Sequence, residues 1–478
     1  MYGSLRTLSV AILLAAPTVV AFASGGYFAL PRLLAGAIAW SLVVAAVWLT
    51  PGPIPQSQSS RIAIGGLACL TGVVGLSMLW APLRGLAQAD LQRLLLYLGT
   101  LIAATAFLRG RYGLRLVELV LGAGALLVTL YAISARLFPS VIHETSSRTA
   151  FGRLEQPLTY WNASGMLAAC GAILALRVAA DSSRQLWLRS VAIGAVVPLG
   201  VGVYLTFSRG ALLAVAVGVV LLIVFSSEAG QLRAAVIGIG GAVAASIIAA
   251  LLPAVRALQG SASQAQLQGL LMAAALIIIV GFTIALARWV DNRSSRIELS
   301  FSRALAAGLI VAIVIGFGAV AAGDGSSGGQ PRAGADTRRL TSFESNRYEY
   351  WQSATRMFMN APLVGEGSSS FRVVWRRDRT IADPALDAHS LYLETAAELG
   401  LAGLLALALF IGGVFAAGRK LLTERRSEAA GALAALGAMA VHAGLDWDWE
   451  MPALALIAIL LAGAVLAAND AVNEAQLG

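Results

Sequence analysis

Apolar stretches about twenty residues long follow one another along most of this chain, and that repetition constrains the fold more than any motif. A helix needs about 20 residues to cross the hydrocarbon of a bilayer, and backbone in hydrocarbon must satisfy its own hydrogen bonds, so such stretches fold as helices. The sequence predicts about fourteen spans, near 8–24, 33–50, 62–80, 94–108, 116–135, 159–177, 190–207, 211–226, 234–255, 267–288, 304–322, 398–417, 428–445 and 451–468. The expected fold class is therefore all-α, a polytopic integral membrane protein. Composition agrees: 58% hydrophobic residues, 12% charged residues and a mean hydropathy of +0.78 exclude a soluble globular protein. The first run follows Arg6 and resembles a secretory leader. No small-x-small cleavage site is followed by a soluble domain, so a first span is expected there. Cys69 and Cys170 both lie in apolar runs and read as packed small residues with no disulfide.

One long polar interval, 324–389, divides the chain. Residues 1–323 hold eleven expected spans, 324–389 an extracytoplasmic lid, and 390–478 the last three spans. With the N-terminus inside, seventeen cationic residues fall on inside segments and eight on the short outside segments. This bias puts both termini in the cytoplasm and the lid outside. The net charge of +9 is almost all arginine, with Lys420 the only lysine. On a membrane protein that points to anionic lipids or phosphates rather than nucleic acid.

The lid opens with a loose segment, GDGSSGGQPRAGADTRR, that contains Arg338 and Arg339. In the following NRYEYWQSATRMFMN, Trp351, Ala354, Met357 and Phe358 fall at helical spacing and predict an amphipathic helix. Asn360-Ala361-Pro362, with Gly365 and Gly367 beyond, ends it. The basic run WRRDR follows, and DAHSLYLETAAELG closes the interval at the mouth of a span. So long a connection is either functional or disordered. A predicted helix, a turn and nine arginines favour a working lid.

Single residues stand out against this background. The apolar run 191–225 would be about 50 Å long as one helix, too long for one crossing, so it must turn at FSRG. Arg209 then lies near membrane depth, either with a task or snorkelling to the headgroups. His389 stands at the start of the span after the lid, placed for proton transfer or for a structural role. Asp387, Glu394 and Glu398 are near it, the latter two either orienting partners or solvated at the helix end. His442, Asp446, Asp448 and Glu450 occupy the last outside turn, either a metal cluster or solvated acids beside interfacial Trp447 and Trp449. The loop 136–159 ends in QPLTYWNASG, where Tyr160 and Trp161 read as an interfacial anchor or a wall of the site. No P-loop, HExxH or CxxC occurs, so the sequence offers no support for a nucleotide-driven or zinc mechanism.

TFSRGALLAVAVG, followed by NRYEYWQSATRMFMNAPLVGEGSSSF and AHSLYLETAAELGLAGLLAL, resembles the O-antigen ligase/polymerase superfamily. The resemblance covers roughly residues 155–470. Its specific parts are the SRG turn, the R-x-x-x-W helix with P-L-x-G-x-G after it, and the A-H before E-L-G-L. It implies a GT-C-like membrane glycosyltransferase of the inner membrane, with no cofactor or metal. Such an enzyme uses a polyprenyl-diphosphate-linked glycan donor and a glycan, lipid or protein acceptor on the extracytoplasmic side. Carried over residue by residue, Arg209 and Arg347 contact the donor diphosphate and His389 is the essential histidine. Where the family often has Asn after that histidine, this chain has Ser390.

Elementary chemistry agrees with that implication. Guanidinium forks match phosphate oxygens and stay charged. They would also stabilise the negative charge that grows on a leaving diphosphate. Arg338, Arg339 and Asp387 are further candidates for substrate contact, and Tyr350 and Trp351 either stack on sugars or face the membrane. The sequence does not separate a ligase from a polymerase that joins lipid-linked repeat units. A lipid-linked oligosaccharide flippase is the reading of another class. It would be expected to show two halves of similar hydropathy with broken spans.

Overall fold

The computed structural model describes residues 2–53, 55–110, 113–144, 147, 149–226, 230–293, 335 and 345–477. Those residues are helical and contain no strand. Ten of the helices are long and apolar enough to cross a membrane, as expected of a polytopic membrane protein. The expected span at 304–322 lies outside the described residues, as do Arg338 and Arg339.

The chain divides into two compact units. The first comprises Met1–Val117, Ser345–Arg425 and Ala440–Gly478. It holds α1 (Tyr2–Ala21), α2 (Ala29–Leu49), α3 (Gln58–Ser77) and α4 (Arg84–Phe107). Later parts of the chain add α12 (Arg347–Asn360), α13 (Phe371–Asp378), α14 (Leu391–Glu424) and α16 (Pro452–Leu477). Helix α16 is its buried centre, with 94% of its most apolar window inside the protein. Helix α14 packs along α3 at backbone distance, because a Cβ on Gly413 would come within 2.6 Å of the Ala63 nitrogen. Small residues permit that approach in membrane helices, where dispersion and close packing replace the hydrophobic effect.

The second unit comprises Glu118–Glu344 and Arg426–Met439. It contains most of α5 (Gly113–Leu137), then α6 (Trp161–Ala180), α7 (Leu186–Leu205) and α8 (Arg209–Phe225). These are followed by α9 (Gln231–Leu251), the short α10 (Pro253–Ala257), α11 (Ala262–Arg293) and most of α15 (Arg426–Ala443). Here α6 is the buried centre, its apolar window wholly inside. Helix α11 is its opposite, only 11% buried and hence lipid-facing by composition. The run 191–225 turns at FSRG as its length requires: α7 stops at Leu205 and α8 starts at Arg209. The Ser208 hydroxyl caps α8 by accepting the Ala211 N–H at 3.2 Å.

Candidate active site

The first unit builds its site around a break in α14. Gly400 sits inside that helix at φ +62°, a left-handed conformation that only glycine adopts freely. The break leaves backbone groups without helical partners, and the PLVGEG loop supplies them. Glu366 and Gly367 donate their N–H groups to the Ala397 and Glu398 carbonyls at 3.2 and 2.8 Å. In return the Leu401 and Ala402 N–H groups donate to Pro362 and Leu363 at 2.8 and 3.1 Å. Gly365 and Gly367 have φ of +67° and +97°, and a Cβ on Gly365 would collide with the Glu398 backbone. The Glu398 carboxylate then accepts the N–H groups of Ser369 at 2.7 Å and Phe371 at 3.0 Å, holding the start of α13. P-L-x-G-x-G and E-L-G-L are thus two halves of one lock.

That lock fixes the approach to His389. Ser390 caps α14, its hydroxyl accepting the Leu393 N–H at 3.5 Å, and Glu394 accepts the Ala388 N–H at 2.7 Å. Between them His389 is held at φ +54°, a strained conformation for a side chain of this size. Its Nδ1 lies 3.0 Å from the Asp387 carbonyl oxygen. A carbonyl only accepts, so in the neutral ring Nδ1 carries the proton and Nε2 keeps its lone pair. The half-buried imidazole lies against Tyr350, ring centroids 5.2 Å apart. Tyr350 is locked in turn: its hydroxyl donates to Asp383 at 2.7 Å and Trp375 meets its ring edge-on at 4.9 Å.

Charged groups surround this point in pairs. Arg347, one helical turn before Tyr350, donates from one terminal nitrogen to Asp446 at 2.5 Å, and its side chain stays 20% exposed. The other Asp446 oxygen accepts the Trp447 N–H at 2.9 Å, so the carboxylate is fixed while the guanidinium reaches outward. Arg372 faces Asp387 at 3.4 Å. Burial pushes the Asp387 carboxyl above the usual carboxylate range, and the Arg372 guanidinium pulls it back. Arg93 bridges Asp90 and Glu450, and burial pushes Glu450 up to about 8 despite that contact. His442 pairs through Nδ1 with Asp448. An open cleft is lined by Asp90, Arg93, Glu394, Glu398, Trp449 and Glu450 among others.

Several sequence expectations change in this light. Of the acids read as a metal cluster or as solvated, Asp446 and Asp448 are buried and Glu450 half-buried, and they pair with Arg347, His442 and Arg93. Glu398, read as a solvated helix-end carboxylate or an orienting group, is buried and holds backbone. Tyr350 is buried and committed to Asp383; Trp351 is half-buried, its indole N–H without a hydrogen-bond partner. Asp383, Arg372, Asp90 and Arg93 carry no local sequence signal of a role in this site. Only the DWDWE acids gave any signal.

Arg209 belongs to the second unit, half-buried at the first turn of α8, where the helix N-terminus adds to its attraction for anions. In the same unit Tyr160 is buried rather than an interfacial anchor, and the Arg153 guanidinium lies 3.4 Å over the Trp161 ring.

Residues 261–408 match the family model described as O-antigen ligase. The stretch includes α12, the PLVGEG loop, α13, His389 and the break in α14. No curated protein matches the chain.

Proposed function

The family match supports the O-antigen ligase/polymerase superfamily and a ligase- or polymerase-like membrane glycosyltransferase, and from that premise we propose the reaction in finer detail. The protein transfers a glycan from a polyprenyl-diphosphate carrier to an acceptor hydroxyl at the extracytoplasmic face of the cytoplasmic membrane. The observation that carries this reading is His389, strained, with Nδ1–H directed to the Asp387 carbonyl and Nε2 left as a base. The acceptor O–H gives its proton to Nε2 as its oxygen bonds to the sugar C1, and the C1–O bond to diphosphate breaks. Arg347, anchored on one edge by Asp446, presents its remaining N–H donors to the leaving phosphates. Arg209, at a helix N-terminus, is the second diphosphate contact in this proposal. Asp387 and Trp351, in the same unit as His389 and Arg347, are the substrate contacts in this proposal, Tyr350 acting through the histidine ring it supports.

We propose ligation to a distinct acceptor first; polymerisation of repeat units shares its donor chemistry and differs in the acceptor. The test is transfer by purified protein in nanodiscs, given a polyprenyl-diphosphate glycan and either a lipid-core or a lipid-linked repeat acceptor. His389→Ala is expected to lose about 10²–10⁴-fold in rate while still binding donor. Arg209→Ala and Arg347→Ala are expected to weaken donor binding as well. Transfer at wild-type rate by all three variants would overturn the site, and flipping of donor without transfer would overturn the enzyme.

A further inference from the structure

The second unit carries a basic cavity that the proposed chemistry does not use. It lies where the C-terminal ends of α6 and α11 meet the N-terminal ends of α7 and α9, and it is open to the surface. Three arginines line it, one each from α7, α9 and α11: Arg189, Arg233 and Arg288. Arg189 donates to the Ala179 carbonyl at 3.0 Å and to Asp291 at 2.6 Å, and Arg288 donates to the Ser190 hydroxyl at 3.0 Å. Asp291 is the one carboxylate in the lining, so three positive charges less one negative leave a formal +2. Arg233 is the telling member: its Nε and Nη1 are buried and have no hydrogen-bond partner. A buried guanidinium edge without an acceptor is costly, and an anion accepting from it would remove that cost.

We infer that this cavity binds the headgroup of an anionic phospholipid of the surrounding bilayer. Depth argues for a lipid. Trp187 at the start of α7 and Trp289 at the end of α11 are 60% and 51% exposed. Tryptophans so placed mark the headgroup level of a bilayer. Leu186, which lines the cavity, is itself 55% exposed, so the cavity wall continues into the apolar outer surface. An occupant with phosphate at the arginines and acyl chains along that surface satisfies both halves, as basic pockets between membrane helices do for anionic lipids. A free phosphate would satisfy only the first. The inference does not rest on the proposed glycosyl transfer, since none of these residues takes part in it. On the orientation expected from the arginine bias, these helix ends face the cytoplasm, away from the side proposed for His389.

The test is lipid retention by the full-length protein in nanodiscs of phosphatidylcholine containing a minor fraction of phosphatidylglycerol, read by native mass spectrometry. Wild type is expected to retain phosphatidylglycerol selectively and to keep it in excess inorganic phosphate. Arg288→Gln, at an exposed position, is expected to bind it about fivefold more weakly, and Arg233→Gln more weakly still. If Arg233→Gln does not fold, Arg288→Gln decides alone. Retention unchanged by Arg288→Gln, or equal retention of phosphatidylcholine, overturns the inference. Displacement by inorganic phosphate overturns it in favour of a soluble anion.

Discussion

Among single residues, the site is built from charges whose partners lie far away in the chain. Glu450 meets Arg93, Asp446 meets Arg347, and the Tyr97 hydroxyl reaches the Trp449 carbonyl at 2.7 Å. Glu450 offers a test of how deeply that network is buried. An ordinary glutamate carboxyl titrates near 4.3, whereas burial holds this one up to about 8 in the folded protein. Between those values the folded state binds more protons than the unfolded chain, so stability is greatest at the acid end and falls as pH rises. The melting temperature in detergent is expected to drop between about pH 5 and about pH 9, more steeply for wild type than for Glu450→Gln. Equal slopes would show that Glu450 does not carry the effect. The sequence showed His389, Arg347 and the DWDWE acids as candidates, because those residue types are rare in membrane helices. It assigned the acids to water, because a reading along the chain sees tryptophans beside them and not an arginine some 350 positions earlier.

At the level of elements, helical periodicity was legible and tertiary use of it was not. The helix after Asn346 forms as its spacing predicts, but its buried face is Tyr350, Ser353, Ala354 and Met357, with Trp351 and Phe358 at its margins. The glycines after Pro362 read correctly as a stop. That they fill a break at Gly400 could not be read, since nothing local in E-L-G-L announces a left-handed residue within a long apolar run. The lock is testable at Gly365. Alanine there faces both a positive φ and a collision with the Glu398 backbone, for a cost of about 1–3 kcal/mol or more. Gly365→Ala is expected to lower the melting temperature clearly and to reduce glycosyl transfer with it, because His389 is positioned from the same break. Gly412→Ala is the control. A Cβ there meets no atom within 4 Å, so the helix gains up to about 1 kcal/mol of intrinsic propensity. Equal melting of the two variants would remove the lock from the account.

At the scale of the whole molecule, the polar contacts of the first unit sort its helix ends onto two faces. At one, the Asp470 carboxylate in α16 accepts from the Ser57 N–H at 3.1 Å and the Ser60 hydroxyl at 2.8 Å, and Arg109 approaches it at 3.4 Å. At the other, Tyr27 meets Trp447 edge-on at 5.9 Å, Arg93 meets Glu450, and Arg347 meets Asp446. Each contact joins segments that the arginine bias assigns to the same side, inside for the first set and outside for the second. From Arg109, helices α5, α6, α7, α8, α9 and α11 return the chain to the inside at Asn292, whereas Ser345 precedes a helix whose Arg347 is bound at the outer face. On the orientation expected from the arginine bias, Asn292 then lies inside and Ser345 outside. Asn292→Cys and Ser345→Cys, in a background with Cys69 and Cys170 replaced by alanine, are therefore expected to react with a membrane-impermeant maleimide from opposite sides. Ser345→Cys should label in intact spheroplasts and Asn292→Cys only after lysis. Labelling of both from one side would overturn that assignment, and the reverse pattern would place His389 in the cytoplasm, where a donor displayed on the outer leaflet is out of reach.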